Sequence, residues 1–222
     1  MTNNKEQSLR LRWISLRLVE RFGNVLYPID IAVLLRELPK IGYIVPRKVL
    51  KGILEPGESL AVKGNLELLI NQDNKTLGLQ GDKTLEVIDG FSELRSFWLE
   101  RLNPSPCADT HYIELGGEGM TTSLKNPIEV FAKFWAQCEA IRQLSKTLGF
   151  DVVNFGLHLV PPNVDPNRTE WFDLRIDPKV ISSSNQYYVN IIWRDSNLET
   201  ALKHFKEVDD IVATLIKRVE KE

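Results

Sequence analysis

The stretch LRLRWISLRL, Leu9 to Leu18, governs how the rest of the chain is assembled. Leu9, Leu11 and Trp13 alternate as the buried side of a strand does, and Ile14, Leu16 and Leu18 continue on the opposite parity. A strand with a β-bulge accommodates that switch, because one inserted residue resets the alternation; a helix is the other reading. The strand is preferred. It is followed by a helix in PIDIAVLLREL (28–38), strands within 41–80, and a helix near 85–102 whose stripe is Ile88, Phe91, Leu94, Trp98 and Leu102. Asn103-Pro104 ends that helix.

The remainder repeats the order. THYIELGG opens with a candidate strand, and NPIEVFAKFWAQCEAIRQLSKTLG predicts a helix over 126–148, capped by Asn126, with Pro127 in its first turn and Gly149 as terminator. Strands are expected at 151–160, 170–177 and 186–194. Their apolar parity is Phe155, Leu157, Leu159, Phe172, Leu174, Ile176, Tyr187, Val189, Ile191 and Trp193. A last helix at 198–220 carries Leu202, Phe205, Val208, Val212, Leu215 and Val219 at helical spacing.

The expected fold is therefore α+β, with two similar halves, 1–104 and 105–222, each a curved antiparallel sheet covered by helices. The junction falls in NPSPCADT, residues 103–110, where two prolines and small polar residues interrupt the patterns. The order of elements resembles the repeated half-domain of TATA-binding-protein-like folds, as an analogy of topology that no sequence motif carries.

Composition narrows the function classes. The chain has 222 residues, 43% hydrophobic and 26% charged, enough apolar material for a substantial core. Its net charge of −2 and pI near 6.0 lack the basic excess of a phosphate-backbone binder, so nucleic acid is not the expected partner. The polar start MTNNKEQSLRLRW does not read as a secretion signal, and no run reaches the length of a membrane span, so a cytoplasmic location is expected. Cys107 and Cys138 lack C-x-x-C spacing, which argues against a disulfide or zinc. Cys138 is read as a small hydrophobe on the buried stripe of the 126–148 helix. No cofactor is implied.

Three features bear on chemistry. LGGEGMTTS, 115–123, is glycine-rich but lacks both the Gly-Lys-Ser/Thr of a phosphate loop and the third glycine of a dinucleotide fingerprint; it reads as a flexible loop ending a strand. His111 and His204 have no partner at metal-ligand spacing, and His204 is expected at the solvent border of the last helix.

The third feature is the stretch 154–178. His158 has the parity opposite to the apolar set, as do Trp171, Asp173, Arg175, Tyr188, Asn190 and Arg194. Pairing the strands antiparallel sets His158 across from Asp173, Gly156 across from Arg175, Asp173 across from Asn190, Trp171 near Ile192 and Arg175 near Tyr188. Such neighbours stand about 5 Å apart at Cβ.

No serine or cysteine is placed as a nucleophile beside them, since Ser182, Ser183 and Ser184 lie in a turn and Cys107 in the junction. The leading reading is a noncatalytic binding or interaction module that offers a sheet surface or groove to a protein, peptide or small ligand, with a homo-oligomer as one form. The alternative is a hydrolase or lyase using His158 and Asp173 as base and orienter and Arg175 or Arg194 as anion holder.

Overall fold

The computed structural model describes residues 9–52, 59–102, 109–163, 165, 167–179 and 185–221. Most of the expected junction, with Cys107, lies outside these residues, as do Ser182, Ser183 and Ser184. Eight strands form one antiparallel sheet: β1 (Arg12–Phe22), β2 (Ala61–Lys63), β3 (Leu66–Asn71), β4 (Thr76–Gly81), β5 (Thr110–Thr122), β6 (Leu157–Leu159), β7 (Trp171–Pro178) and β8 (Gln186–Asp195). Their order is β2-β3-β4-β1-β5-β8-β7-β6. Two sheets, one per half, were expected. A single sheet forms instead, because β1 and β5 pair along almost their whole length, from Arg12 opposite Met120 to Phe22 opposite Thr110.

Six α-helices complete the fold: α1 (Ile31–Glu37), α2 (Arg47–Leu50), α3 (Thr84–Phe97), α4 (Pro127–Trp135), α5 (Glu139–Leu148) and α6 (Leu198–Lys221). Among the described residues no helix is long and apolar enough to cross a membrane. The long helices α3 and α6 contact each other and the central strands, and α4 contacts α6 and β7. Under them lies the apolar parity: Leu16, Leu18, Leu79, Leu115, Leu174, Val189 and Ile191 are buried with Phe91, Phe131, Phe205 and Val212 of the helices.

The parity switch in β1 is a bulge. The pairing with β5 shifts between Trp13 and Ser15, so Ile14 is the extra residue, and it is exposed while Trp13, Leu16 and Leu18 are all buried. Trp13 settles the glycine-rich stretch too. Residues 115–122 are not a loop but the interior of β5. A Cβ on Gly117 would come within 2.7 Å of the Trp13 ring, and one on Gly119 within 3.0 Å. These glycines let the indole lie flat against the strand. The indole Nε1 donates to Thr84 Oγ1 at the start of α3 (3.0 Å) and to Asp209 Oδ1 of α6 (2.8 Å), and so ties both helices to β1. Further along β1, the fully buried Glu20 accepts from Arg95 of α3 and from Thr110 of β5. A buried carboxylate is tolerated there because both of its oxygens are bonded.

Other expectations are corrected. The helix over 126–148 is two helices. Cys138, half-buried, caps α5 with extended backbone, so it does not sit on a buried stripe. In α4 Val130 and Phe131 are buried, whereas no residue of α5 is buried among the described residues and Leu144 and Leu148 are exposed. The strand at 151–160 shrinks to Leu157–Leu159, with Phe155 exposed. Gly156 ends it at that side, where a Cβ would fall 2.0 Å from Asp177 Oδ1. Among the described residues of 41–60, Gly42 at φ 85° and Pro46 favour turns and the short α2, and only Ile44 makes a single bridge, to Val62, before β2 starts at Ala61.

The Trp13 packing makes two stability predictions. Trp13→Ala should lower unfolding free energy by about 3–5 kcal/mol through cavity formation and loss of its two hydrogen bonds. Gly117→Ala should cost about 1–3 kcal/mol by overpacking. Urea denaturation measures both, and a Gly117→Ala protein as stable as the parent would contradict the close approach.

Candidate functional site

The predicted residues lie on the face of the sheet opposite α3 and α6, as their parity requires. The register differs by two residues in both hairpins. His158 is opposite Arg175, not Asp173; Asp173 is opposite Ile192, Arg175 opposite Asn190, and Trp171 opposite Arg194. The partner of Tyr188 is Asp177. Alternation specifies the face of each residue but is indifferent to a slip of two, and the loops that fix the slip, 160–170 and 179–185, carry no hairpin signature of fixed length.

His158 and Asp173 meet all the same, on the diagonal. His158 Nε2 is 2.9 Å from Asp173 Oδ1, and the Arg175 Nε group lies 3.3 Å from both atoms, with Nη2 3.4 Å from Asp173 Oδ2. The His158 and Arg175 side chains are about half exposed, at 51% and 53%, and Asp173 is 14% exposed. Open ion pairs of this kind contribute about 0–1 kcal/mol, so the trio is a surface polar cluster at the sheet edge and adds little to stability.

The other predicted residues fall into two groups. Trp171 stacks with Arg194, whose guanidinium is 5.4 Å from its ring, so the tryptophan on the polar face is covered by a cation. Its indole Nε1 is buried and has no hydrogen-bond partner among the described residues. Arg194 also lies 4.8 Å from the Tyr112 ring and donates Nε to Glu114 Oε2 at 2.6 Å; Glu114 is shared with Arg17 at 3.7 Å. Arg21 continues the row, 5.5 Å over Tyr112. The result is an alternating ladder of Arg21, Tyr112, Arg194 and Trp171 across three neighbouring strands and β7. Tyr188 and Asn190 belong to a separate group with Glu118, their neighbour on β5. Burial first, and then its hydrogen bond to Glu118, raise the Tyr188 phenol above its ordinary value.

Arg17, Arg21, Tyr112, Glu114 and Glu118 were not among the candidates. They come from β1 and β5, and their relation to β8 depends on the β1–β5 and β5–β8 pairings, which no local pattern reveals. The alternation of Tyr112, Glu114 and Gly116 was the one available signal. His204 lies at the solvent border of α6, half-buried, with its Nδ1 3.0 Å from Asp195 Oδ2 and its ring 4.9 Å from Trp193. Burial raises Asp195, and the His204 contact opposes that rise.

Two depressions among the described residues bear on the site. One, of about 330 Å³, lies over the sheet centre between Ser15, Arg17, Gln80, Glu118, Asn190 and Ile192, with Gly116 as its floor. A Cβ on Gly116 would come within 2.7 Å of Arg17 Nε, so the glycine keeps the arginine low on the sheet. The other lies beside Arg21, Lys75 and His111. Neither includes His158 or Asp173. No group of three or more His, Cys, Asp or Glu side chains suited to a metal ion occurs among the described residues. The site thus belongs to an α+β protein with one antiparallel sheet, helices on one face and charged and aromatic ladders on the other. Comparison of the chain with family models, curated proteins and solved structures found no match.

Asp177, beside Gly156, supplies a pH test. Burial raises its carboxyl above the ordinary 3.8, and Arg175 and His158 oppose this only in part. A folded-state value above the unfolded one means that the native protein loses stability as pH rises from about 4 through the raised value. Asp177→Asn should therefore be more stable than the parent near pH 7, with the difference vanishing once the carboxyl is protonated in both states. Thermal unfolding across pH measures this; equal stability of the two proteins near neutrality would contradict it.

Proposed function

We propose that this chain is a noncatalytic binding module whose ligand or partner, a protein, peptide or small molecule, lies on the polar face of the sheet. The observation that carries the reading is the depression over Gly116. Its floor is bare backbone, and its walls are the guanidinium of Arg17, the amides of Gln80 and Asn190 and the carboxylate of Glu118. Donors and acceptors thus surround a flat floor, as recognition of a polar group requires. The same face of the sheet carries His158, Trp171, Asp173, Arg175, Tyr188 and Arg194, with aromatic and arginine side chains of the kind that anchor interfaces. A cytoplasmic setting, and no resident cofactor, belong to the same proposal.

We also infer that 1–104 and 105–222 are related halves with the arrangement of TATA-binding-protein-like folds. What supports this is the strand order: outward from the β1–β5 pair it reads β4-β3-β2 on one side and β8-β7-β6 on the other, and a long helix, α3 or α6, closes each series.

The hydrolase or lyase alternative draws on the 2.9 Å contact of His158 with Asp173. Against it stands the half-exposed His158, which with Asp173 lies outside the lining of the two depressions. A fragment library screened by NMR against the isotope-labelled protein separates the readings. The binding module predicts hits whose shift changes centre on Arg17, Gly116, Glu118 and Asn190, and an affinity reduced about tenfold, some 1.4 kcal/mol, by Asn190→Ala or Arg175→Ala. Hits confined to the helix side would refute the reading. Turnover of an ester or amide probe that only His158→Ala abolishes would replace it with the enzyme.

A further inference from the structure

We propose that the second depression, at the end of β1, is a binding site for the phosphate group of a small phosphorylated ligand. It measures about 260 Å³ and is lined by Arg21, Gly23, Asp73, Asn74, Lys75 and His111, with Phe22 at its base. The sheet brings three basic side chains together there. In the register, Arg21 lies between Thr76 of β4 and Tyr112 of β5, so Lys75 and His111 are the chain neighbours of its two cross-strand partners. Two backbone bonds hold the segments in place, from Phe22 N–H to Lys75 O (2.9 Å) and from Gly23 N–H to Asp109 O (2.6 Å).

Among the described residues none of these three groups forms an ion pair with a carboxylate. Arg17, Arg175 and Arg194 each lie within ion-pair distance of a carboxylate. Among the described residues Arg21 does not; it donates Nη1 to the Tyr112 hydroxyl at 3.0 Å and lies over the same ring. That contact orients the guanidinium and leaves its other N–H donors available. Among the described residues neither Lys75 nor His111 makes a side-chain hydrogen bond or ion pair, and the His111 ring lies 5.2 Å from the Tyr112 ring.

Asp73 is the one carboxylate in the lining, and Asp109 packs against Gly23 behind it. Neither pairs with the three bases. A guanidinium, an ammonium and an imidazole around an opening of this size suit a tetrahedral oxyanion, which accepts several charged hydrogen bonds at once. The residues differ from those over Gly116, so the two sites stand or fall separately.

Lys75 gives a discriminating variant. Its φ is 54°, a conformation that glycine adopts without cost, so Lys75→Gly removes the ammonium and keeps the turn. The full chain, isotope-labelled, is titrated with inorganic phosphate, and with chloride at matched ionic strength as the control. The proposal predicts saturable shifts at the amides of Gly23, Lys75 and His111 with phosphate alone. It also predicts about tenfold weaker binding in Lys75→Gly and in Arg21→Gln, each losing a charged donor. Linear shifts equal to those in chloride would overturn it. So would saturable binding of unchanged strength in a folded Lys75→Gly protein.

Discussion

The contact between β1 and β5 is the constraint on which the other elements depend. Each is a central strand, bonded on both sides, so their backbone groups are satisfied only inside a continuous sheet. Trp13 adds the second dimension. Its ring lies against Gly117 and Gly119 of β5, and its N–H reaches the beginning of α3 and the middle of α6. One side chain therefore joins the two central strands to the two long helices. Glu20, on the same strand, repeats the connection through Arg95 and Thr110. Polar contacts between the layers give a register to helix packing that apolar contact alone leaves loose.

The other face of the sheet follows a different logic. With the helices on one side, the outward parity carries arginine, carboxylate and aromatic side chains, which compensate each other across strands. Glu114 lies between Arg17 and Arg194, and the Tyr112 ring lies between Arg194 and Arg21. Most cations are balanced there, consistent with a chain whose net charge is only −2. The balance lapses at two places. Gly116 leaves the sheet without a side chain, and at the end of β1 the basic groups outnumber the carboxylates that line the depression. A surface otherwise satisfied internally can recognise a ligand at such gaps, where donors face an opening and not one another.

What could be read from residues alone was the face of most residues in β7 and β8 and the helical class of α3 and α6. Leu174, Ile176, Val189 and Ile191 were assigned to the core and are buried, and His158, Asp173 and Arg175 share the polar side. The period of two carries that information. Register, however, is set by loop geometry, and a slip of two leaves every parity intact; His158 accordingly sits opposite Arg175 and reaches Asp173 only diagonally. Pairing of β1 with β5 spans about a hundred residues and has no local signature. The glycines of β5 looked like a loop because their reason, the Trp13 ring, stands on another strand. The break between α4 and α5 was hidden as well, since the apolar spacing of 126–148 persists through α5, none of whose residues is buried among the described residues.

Native-state hydrogen exchange tests the primacy of the β1–β5 pair most directly, because it measures the free energy at which each strand opens. Amides of Leu16, Leu18, Ile113 and Leu115 should exchange only through global unfolding, at the free energy found by denaturation. Those of the edge strands β2 and β6 should exchange through smaller openings. Exchange of the β1 and β5 amides by a sub-global opening, while the β3–β4 and β7–β8 hairpins stay protected, would contradict this account.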